Sequence, residues 1–391
     1  MNLALSDEQE FLRDAARDAL SRFKTIEAAR EGLEDRSALP DLWPSVVEAG
    51  WTGLLVSEEH GGAGLGPFDA MLVLEECGKV LAPTPLLGLL PATYLLDRGD
   101  SRHVEAVAAG ERRAVYLPAR PPSDTEPRWT VEAPAGLTRA AAPVVAADGT
   151  VSGRVAWVPD APGADLFVVV GVDPAGAPAV VVVEGAAVEE ASRYDATRAL
   201  GHVTLDGLAG ERLALGEEQI AAAWYIAQAL LAAEAVGTVA TALAMSTQYA
   251  KERFTFGRAI GSYQGIKHEL TEVLRLLENA RSLAFYAGWA GEASPGEFPL
   301  AASAFRSAAG HALDYAGRSV INVHGGIGAT WEHDAPLFFR RAQLSRRLLG
   351  GHADATDRVT AELLSGQAAG AARAVPPTAA AAPGAHDAAP A

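Results

Sequence analysis

Cysteine is nearly absent: Cys77 is the single one in 391 residues, so no intrachain disulfide is possible and a cysteine-based metal site lacks its ligands. This fits a reducing cytoplasm. Basic charge is scarce as well, with 32 Lys and Arg against 49 Asp and Glu and a net charge of -17, which opposes binding to nucleic acid or to an anionic membrane surface. The opening "MNLALSDEQEFLRD" lacks a basic segment followed by an apolar run, and the apolar stretch 81–96 is interrupted by Pro83, Pro85 and Pro91. Neither secretion nor membrane spanning is expected. There is no strand-Gly-x-Gly-x-x-Gly-helix unit and no Gly-Lys-Ser/Thr phosphate loop, and no Ser-His-Asp or Cys-His set stands out by spacing.

Apolar residues make up 49% and charged residues 21%, ordinary for a globular chain long enough for two or three domains. Residues 1–112 read as an α-helical domain, opening with "SDEQEFLRDAARDALSRF", where Ser6 is a candidate N-cap before apolar positions at helical spacing. Within it Gly61, Gly62, Gly64 and Gly66 either turn the chain or line a ligand. Residues 113–213 change to short Val-rich runs divided by Pro, Gly and Asp, the pattern of a small antiparallel β-barrel or sandwich. Residues 214–364 return to long amphipathic segments, near 217–252, 263–291, 298–325 and 334–364, which suit a four-helix bundle. The Ala/Pro-rich tail 365–391 has almost no large apolar side chains and reads as disordered. The fold class is α+β: helical domain, β-domain, bundle.

Two stretches of the bundle carry chemistry. In residues 249–274, Lys251, Arg253 and Arg258 surround a Phe256-Gly257 break where one helix ends and another begins near Ser262; exposed backbone beside a guanidinium can grip a pyrophosphate. In "VHGGIGATWEHD", Gly325, Gly326 and Gly328 follow a helix and allow close backbone approach to a phosphate or a ribose. Each also has a plain reading, as a solvated helix-end charge or a helix connection.

Together with "GLLVSEEHGGAGLGPFDAMLVLEECGKVLAP", "DATRALGHVTLDG" and "RFTFGRAIGSYQGIKH", these residues resemble the acyl-CoA dehydrogenase family over essentially residues 1–364, and in particular bacterial members with a Trp-Glu-His-Asp motif that often act in heteromers. The resemblance implies FAD held between the β-domain and bundle of one subunit and the bundle of its neighbour. Arg253, Thr255 and Phe256 fall on cofactor-holding positions, Gln264 at the nucleotide end, and Gly325, Gly326 and Gly328 around the ADP part. It further implies an acyl-CoA or acyl carrier protein thioester as substrate, an electron-transfer flavoprotein as acceptor, and a homodimer, homotetramer or heterotetramer with a paralogue.

Such dehydrogenation removes the α-proton of the thioester with a carboxylate while a hydride leaves the β-carbon for the flavin. At the family's usual place for that base this chain has Leu349-Gly350-Gly351, and at the alternative place on the first bundle helix it has Ala227 or Gln228. Glu234, one heptad beyond Ala227 and on about the same face, is the candidate base, set in an apolar "LLAAEAVG" that is expected to raise its pKa. Thr125, Glu126 and Pro127 match a family segment, but Val158 stands beside Trp157 where a flavin-bonding hydroxyl is expected. No metal site is expected: Glu332, His333 and Asp334 are adjacent, and Asp334 reads as a helix cap. Arg340, Arg341, Arg346 and Arg347 either pair with surplus carboxylates or face phosphates. The departures leave a second reading open, a non-catalytic or half-site subunit that completes the flavin site of a paralogue.

Overall fold

A computed structural model describes residues 4–120, 130–132 and 139–365. The Thr125-Glu126-Pro127 match and the tail beyond Ser365 lie outside the described residues. The chain opens with α1 (Asp7–Ser21), α2 (Thr25–Glu31), α3 (Trp43–Glu48), α4 (Pro67–Lys79), α5 (Leu86–Arg98) and α6 (Val104–Ala108). Ser6 caps α1 as expected, in a capping box completed by Gln9. The glycines at 61–66 serve the backbone: Gly61 takes φ +79°, and a Cβ on Gly62 would lie 2.2 Å from the Val56 carbonyl oxygen.

The β-domain comprises β1 (Ala114–Leu117), β2 (Thr130–Glu132), β3 (Arg139–Ala141), β4 (Val144–Val145), β5 (Thr150–Pro159), β6 (Leu166–Val172), β7 (Pro178–Val183), β8 (Ala187–Glu190) and β9 (Leu200–Leu213). β6, β4, β5, β9 and β7 pair in that order, and β7 returns to β6, closing a small barrel. The ring is mixed rather than wholly antiparallel, because β1 and β4 both run parallel to β6. Those strands are joined by long connections, which short hairpin signals in the sequence do not reveal.

α7 (Glu217–Glu252), α8 (Gln264–Ala293) and α9 (Phe298–His324) are single long helices, and the fourth arm is split into α10 (Ala335–Ser345) and α11 (Gly351–Ser365). The split falls at Leu349, Gly350 and Gly351, which all have positive φ. Among the described residues α7 is the one helix long and apolar enough by composition to cross a membrane, and 72% of its most apolar part is buried against its neighbours, as in a core helix. Two glycines set its crossing with α4. A Cβ on Gly78 would lie 2.0 Å from the Glu234 carbonyl oxygen, and one on Gly237 would lie 1.9 Å from that of Glu75. Only hydrogen at both places lets the backbones meet, and this contact fixes the height of Glu234 in the core.

Candidate functional site

The sequence sets β5 against β9, and between the Val155–Val203 and Val158–Gly201 pairs two residues of β5 oppose the single His202. Such a bulge re-aims side chains. Trp157, with φ +56°, is thereby turned to the wall of a cavity of about 430 Å³, and its ring stands edge-on to His202 at 4.7 Å between centroids. Burial and the nearby Arg154 hold the His202 imidazole below its ordinary pKa, so its Nδ1 accepts the Trp157 backbone N–H at 3.3 Å. Leu200, Phe339 and Leu344 complete an apolar wall between barrel and bundle. Val158 is fully buried in the barrel core and brings no hydroxyl to the cavity. A flat aromatic ring system suits this slot in volume and in wall chemistry.

A second cavity of about 400 Å³ shares Tyr194 and Phe339 with the first and runs to Asn322 and Gly328 at the end of α9. The three glycines of that corner differ. Gly325 has φ +62°, which disfavours any other residue, while a Cβ on it or on exposed Gly326 would meet nothing within 4 Å. Gly328 is buried, and its Cβ would clash at 2.8 Å with His324 of the preceding helix. Close approach to a ligand is thus open at Gly325 and Gly326, whereas Gly328 is required by the chain's own packing.

The Phe256-Gly257 break is a hairpin rather than a plain helix junction. Phe254–Thr255 (β10) pairs with Arg258–Ala259 (β11), and φ values of +51° and +80° at Phe256 and Gly257 mark a two-residue primed turn. Tyr263 braces it, its hydroxyl donating to the Thr255 carbonyl at 3.0 Å and its ring lying 4.1 Å from the Arg258 guanidinium. Phe256 is 94% exposed, Arg253 and Gln264 are exposed, and none of them lines the 430 Å³ cavity. The structure therefore places the expected cofactor-holding residues in two groups, the outward-facing hairpin with Gln264 and the glycine corner after α9, and only Gly328 of them lines either cavity.

Glu234 does not sit in an apolar pocket. It is 3% exposed, and its carboxylate accepts from Arg198 Nη2 and, at 2.9 Å, from Arg341 Nη1. Arg341 also donates from Nε to Asp195 and from Nη2 to Thr197, each at 2.5 Å, so two guanidiniums and two carboxylates form a buried quartet. Burial works to raise the Asp195 carboxyl, yet Arg341 and Arg198 hold it below its ordinary value; burial likewise opposes the charge on Arg341, which Asp195 and Glu234 hold above its ordinary value. The apolar sequence neighbourhood concealed these partners because they come from the β8–β9 connection and from α10. A carboxylate gripped by two guanidiniums is poorly placed to take a substrate proton.

The two family positions for a base do come together. Gln228 Nε2 donates to the Leu349 carbonyl at 2.6 Å, and the space beside them, walled by Trp224, Ser303 and the ion-paired Arg120 and Asp354, is only about 10 Å³. No carboxylate at either place faces an acyl-sized opening.

Among the other candidates, Asp334 pairs with Arg30 instead of capping α10, and no group of three or more metal-ligating side chains occurs among the described residues. The basic stripe divides: Arg341 and Arg346 pair with carboxylates, Arg340 donates to the Tyr194 carbonyl at 3.0 Å, and Arg347 lines the first cavity. Ser57, His60 and Asp97 are neighbours, but Ser57 Oγ and His60 Nδ1 share one Asp97 oxygen and His60 Nε2 faces Asp100. Nδ1, the ring nitrogen 3.3 Å from Ser57 Oγ, is thus already engaged by Asp97, so the set lacks the nucleophile–base–orienter order of a triad.

Comparison with known proteins agrees with this architecture. Residues 6–98 match the family model for the acyl-CoA dehydrogenase N-terminal domain and residues 216–364 that for the C-terminal domain. The chain is 30% identical over 362 residues to acyl-CoA dehydrogenase IpdE2 of Mycolicibacterium smegmatis, covering 92% of this chain and 100% of that protein. It is 33% identical over 376 residues to acyl-CoA dehydrogenase FadE34 of Mycobacterium tuberculosis, covering 92% of this chain and 48% of that protein. Solved structures with the same fold include a variant of the steroid ACAD Tcur3481-Tcur3483 (TM-score 0.80, 25% identity, 93% of this chain and 99% of that one) and the ChsE4-ChsE5 complex from Mycobacterium tuberculosis (TM-score 0.80, 22% identity, 93% and 99%). By its fold, its bundle motifs and these matches, the chain belongs to the acyl-CoA dehydrogenase family.

Proposed function

We propose that this chain is one subunit of an FAD-dependent acyl-CoA dehydrogenase that works as a heteromer, with a paralogous subunit supplying the carboxylate that removes the α-proton. The observation that carries this is the Gln228–Leu349 contact, which fills both base positions with groups that cannot take a proton. FAD, when bound, supplies the acceptor for the hydride from the thioester β-carbon. Trp157, Phe339 and Leu344 would enclose the flavin ring and exclude water, and the pair Tyr194 and Phe339 would lead its tail toward the α9 corner. Exposed Arg253 and Phe256, with Gly325 and Gly326, would reach the cofactor part that lies toward the neighbour. The ChsE4-ChsE5 neighbour is itself a complex of two differently named chains, in line with a heteromer. An electron-transfer flavoprotein as acceptor and a cytoplasmic setting belong to the same proposal; the buried, single Cys77 agrees with a reducing compartment.

A second reading, a self-sufficient dehydrogenase, draws support from the 430 Å³ cavity being built within this one chain. Purification alone and after co-expression with a paralogue separates the two. The heteromer predicts a yellow complex that acyl-CoA bleaches anaerobically, with the isolated chain colourless or unbleached. An isolated chain that is yellow and turns over acyl-CoA overturns it in favour of the second reading.

A further inference from the structure

The cavity beside Trp157 is unusual for a chain of net charge -17: its lining includes Arg193, Arg198 and Arg347, and none of the described residues that line it is acidic. Arg193 is occupied by Glu190 and by the Ala196 carbonyl. Arg198 is not. It is 5% exposed, all its side-chain bonds run through Nη2, to Glu234 and to Ser345 Oγ at 3.3 Å, and its Nε is enclosed without a partner. Nη1 is thereby left as the open corner of a guanidinium whose position the buried quartet fixes. Arg347, exposed on the same wall, makes no side-chain bond among the described residues.

We propose that Arg198, positioned by Glu234 and helped by Arg347, presents fixed positive charge to the ring held in this cavity and stabilises the negative charge that the ring gains on reduction. The proposal rests on the flavin reading above and deepens it: the cavity selects a planar, acceptor-rich heterocycle that becomes anionic, and the quartet tunes its readiness to accept electrons. A charge held in a pre-oriented frame inside a partly dry cavity acts more strongly than the same charge in water, because no solvent reorganisation is needed when the ring becomes negative. Glu234 is then a positioning residue and not the base.

The test is the midpoint potential of FAD in the complex, wild type against Arg198→Lys and Arg347→Gln. Lysine keeps a cation for Glu234 but cannot hold Glu234 and reach the cavity together. The expected result is retained FAD with the reduced form disfavoured at least tenfold in Arg198→Lys, a fall of about 30 mV for a two-electron couple, and a smaller fall in Arg347→Gln. Wild-type potential in both variants with FAD bound overturns the proposal. Should Arg198→Lys not fold, Arg347→Gln, at an exposed side chain, reads the same effect and an unchanged potential there overturns it. A wild-type complex without any FAD overturns instead the flavin reading on which the proposal rests.

Discussion

Gln228 and Leu349, 121 residues apart, are joined by a 2.6 Å hydrogen bond from the amide of one to the main-chain carbonyl of the other. The carbonyl is available because Leu349 has φ +53°, in the break between α10 and α11. Where a dehydrogenase of this family needs a carboxylate, this chain spends both residues on holding a helix break together.

Glu234→Gln tests which part Glu234 plays. Replacing it leaves Arg198 and Arg341 facing an uncharged amide in the core, and breaking one side of a buried ion-paired group costs about 3–5 kcal/mol. Urea denaturation is expected to show that loss, while the folded complex keeps measurable turnover and its FAD potential falls as in Arg198→Lys, because Arg198 loses its anchor. A fully stable variant devoid of activity at an unchanged FAD potential would restore Glu234 as the base.

The crossing of α4 and α7 gives a second prediction. At Gly237 an added methyl meets the backbone of Glu75 and not a movable side chain, so Gly237→Ala forces the helices apart. A loss of about 1–3 kcal/mol or more is expected in chemical unfolding. Unchanged stability would mean that the two helices are not in backbone contact.

Asp160 predicts a pH dependence. This half-buried residue accepts the Gly88 N–H at 2.8 Å from the first turn of α5, and burial pushes its carboxyl up to about 7 despite that bond and the nearby Arg198. Its folded pKa therefore lies above the unfolded one, so the stability it contributes is complete below about pH 4 and is lost as pH rises through about 7. Asp160→Asn keeps an acceptor for Gly88 and suits φ +62°, so the variant is expected to match wild type near pH 4 and to exceed it by up to about 4 kcal/mol at pH 8, at about 1.4 kcal/mol per pKa unit. Thermal melts at the two pH values check this; equal differences at both would contradict the assignment.

Phe256, almost wholly exposed at the tip of a braced hairpin, is expected to be covered by a neighbouring subunit. Phe256→Asp should leave the fold intact by circular dichroism while shifting the assembly toward monomer in sedimentation and reducing FAD content. If assembly and FAD are both unchanged, the hairpin is no part of the interface.

Much of the fold was written locally. Helical periodicity in α1, α8 and α9, the long Ala/Leu-rich run of α7, which is buried on every side, the Val-rich runs of β6 and β7, and the Ser6 cap depend on near neighbours in the chain, so the sequence alone determined three regions, their order and their secondary structure, and its motifs determined the family. It also determined that neither Leu349 nor Gln228 can act as a base, since that is a matter of side-chain chemistry. What surrounds a residue is another matter. Glu234 looked apolar because its sequence neighbours are Ala and Leu, but Arg198 and Arg341 arrive from 36 residues before it and 107 residues after it. The primed turn at Phe256-Gly257, the parallel strands beside β6, the separate demands on Gly325 and Gly328 and the arginine wall of the cavity were likewise decided only in three dimensions. Burial, ion pairing and close backbone contact depend on which distant segments pack together, and a linear pattern carries no record of those distances.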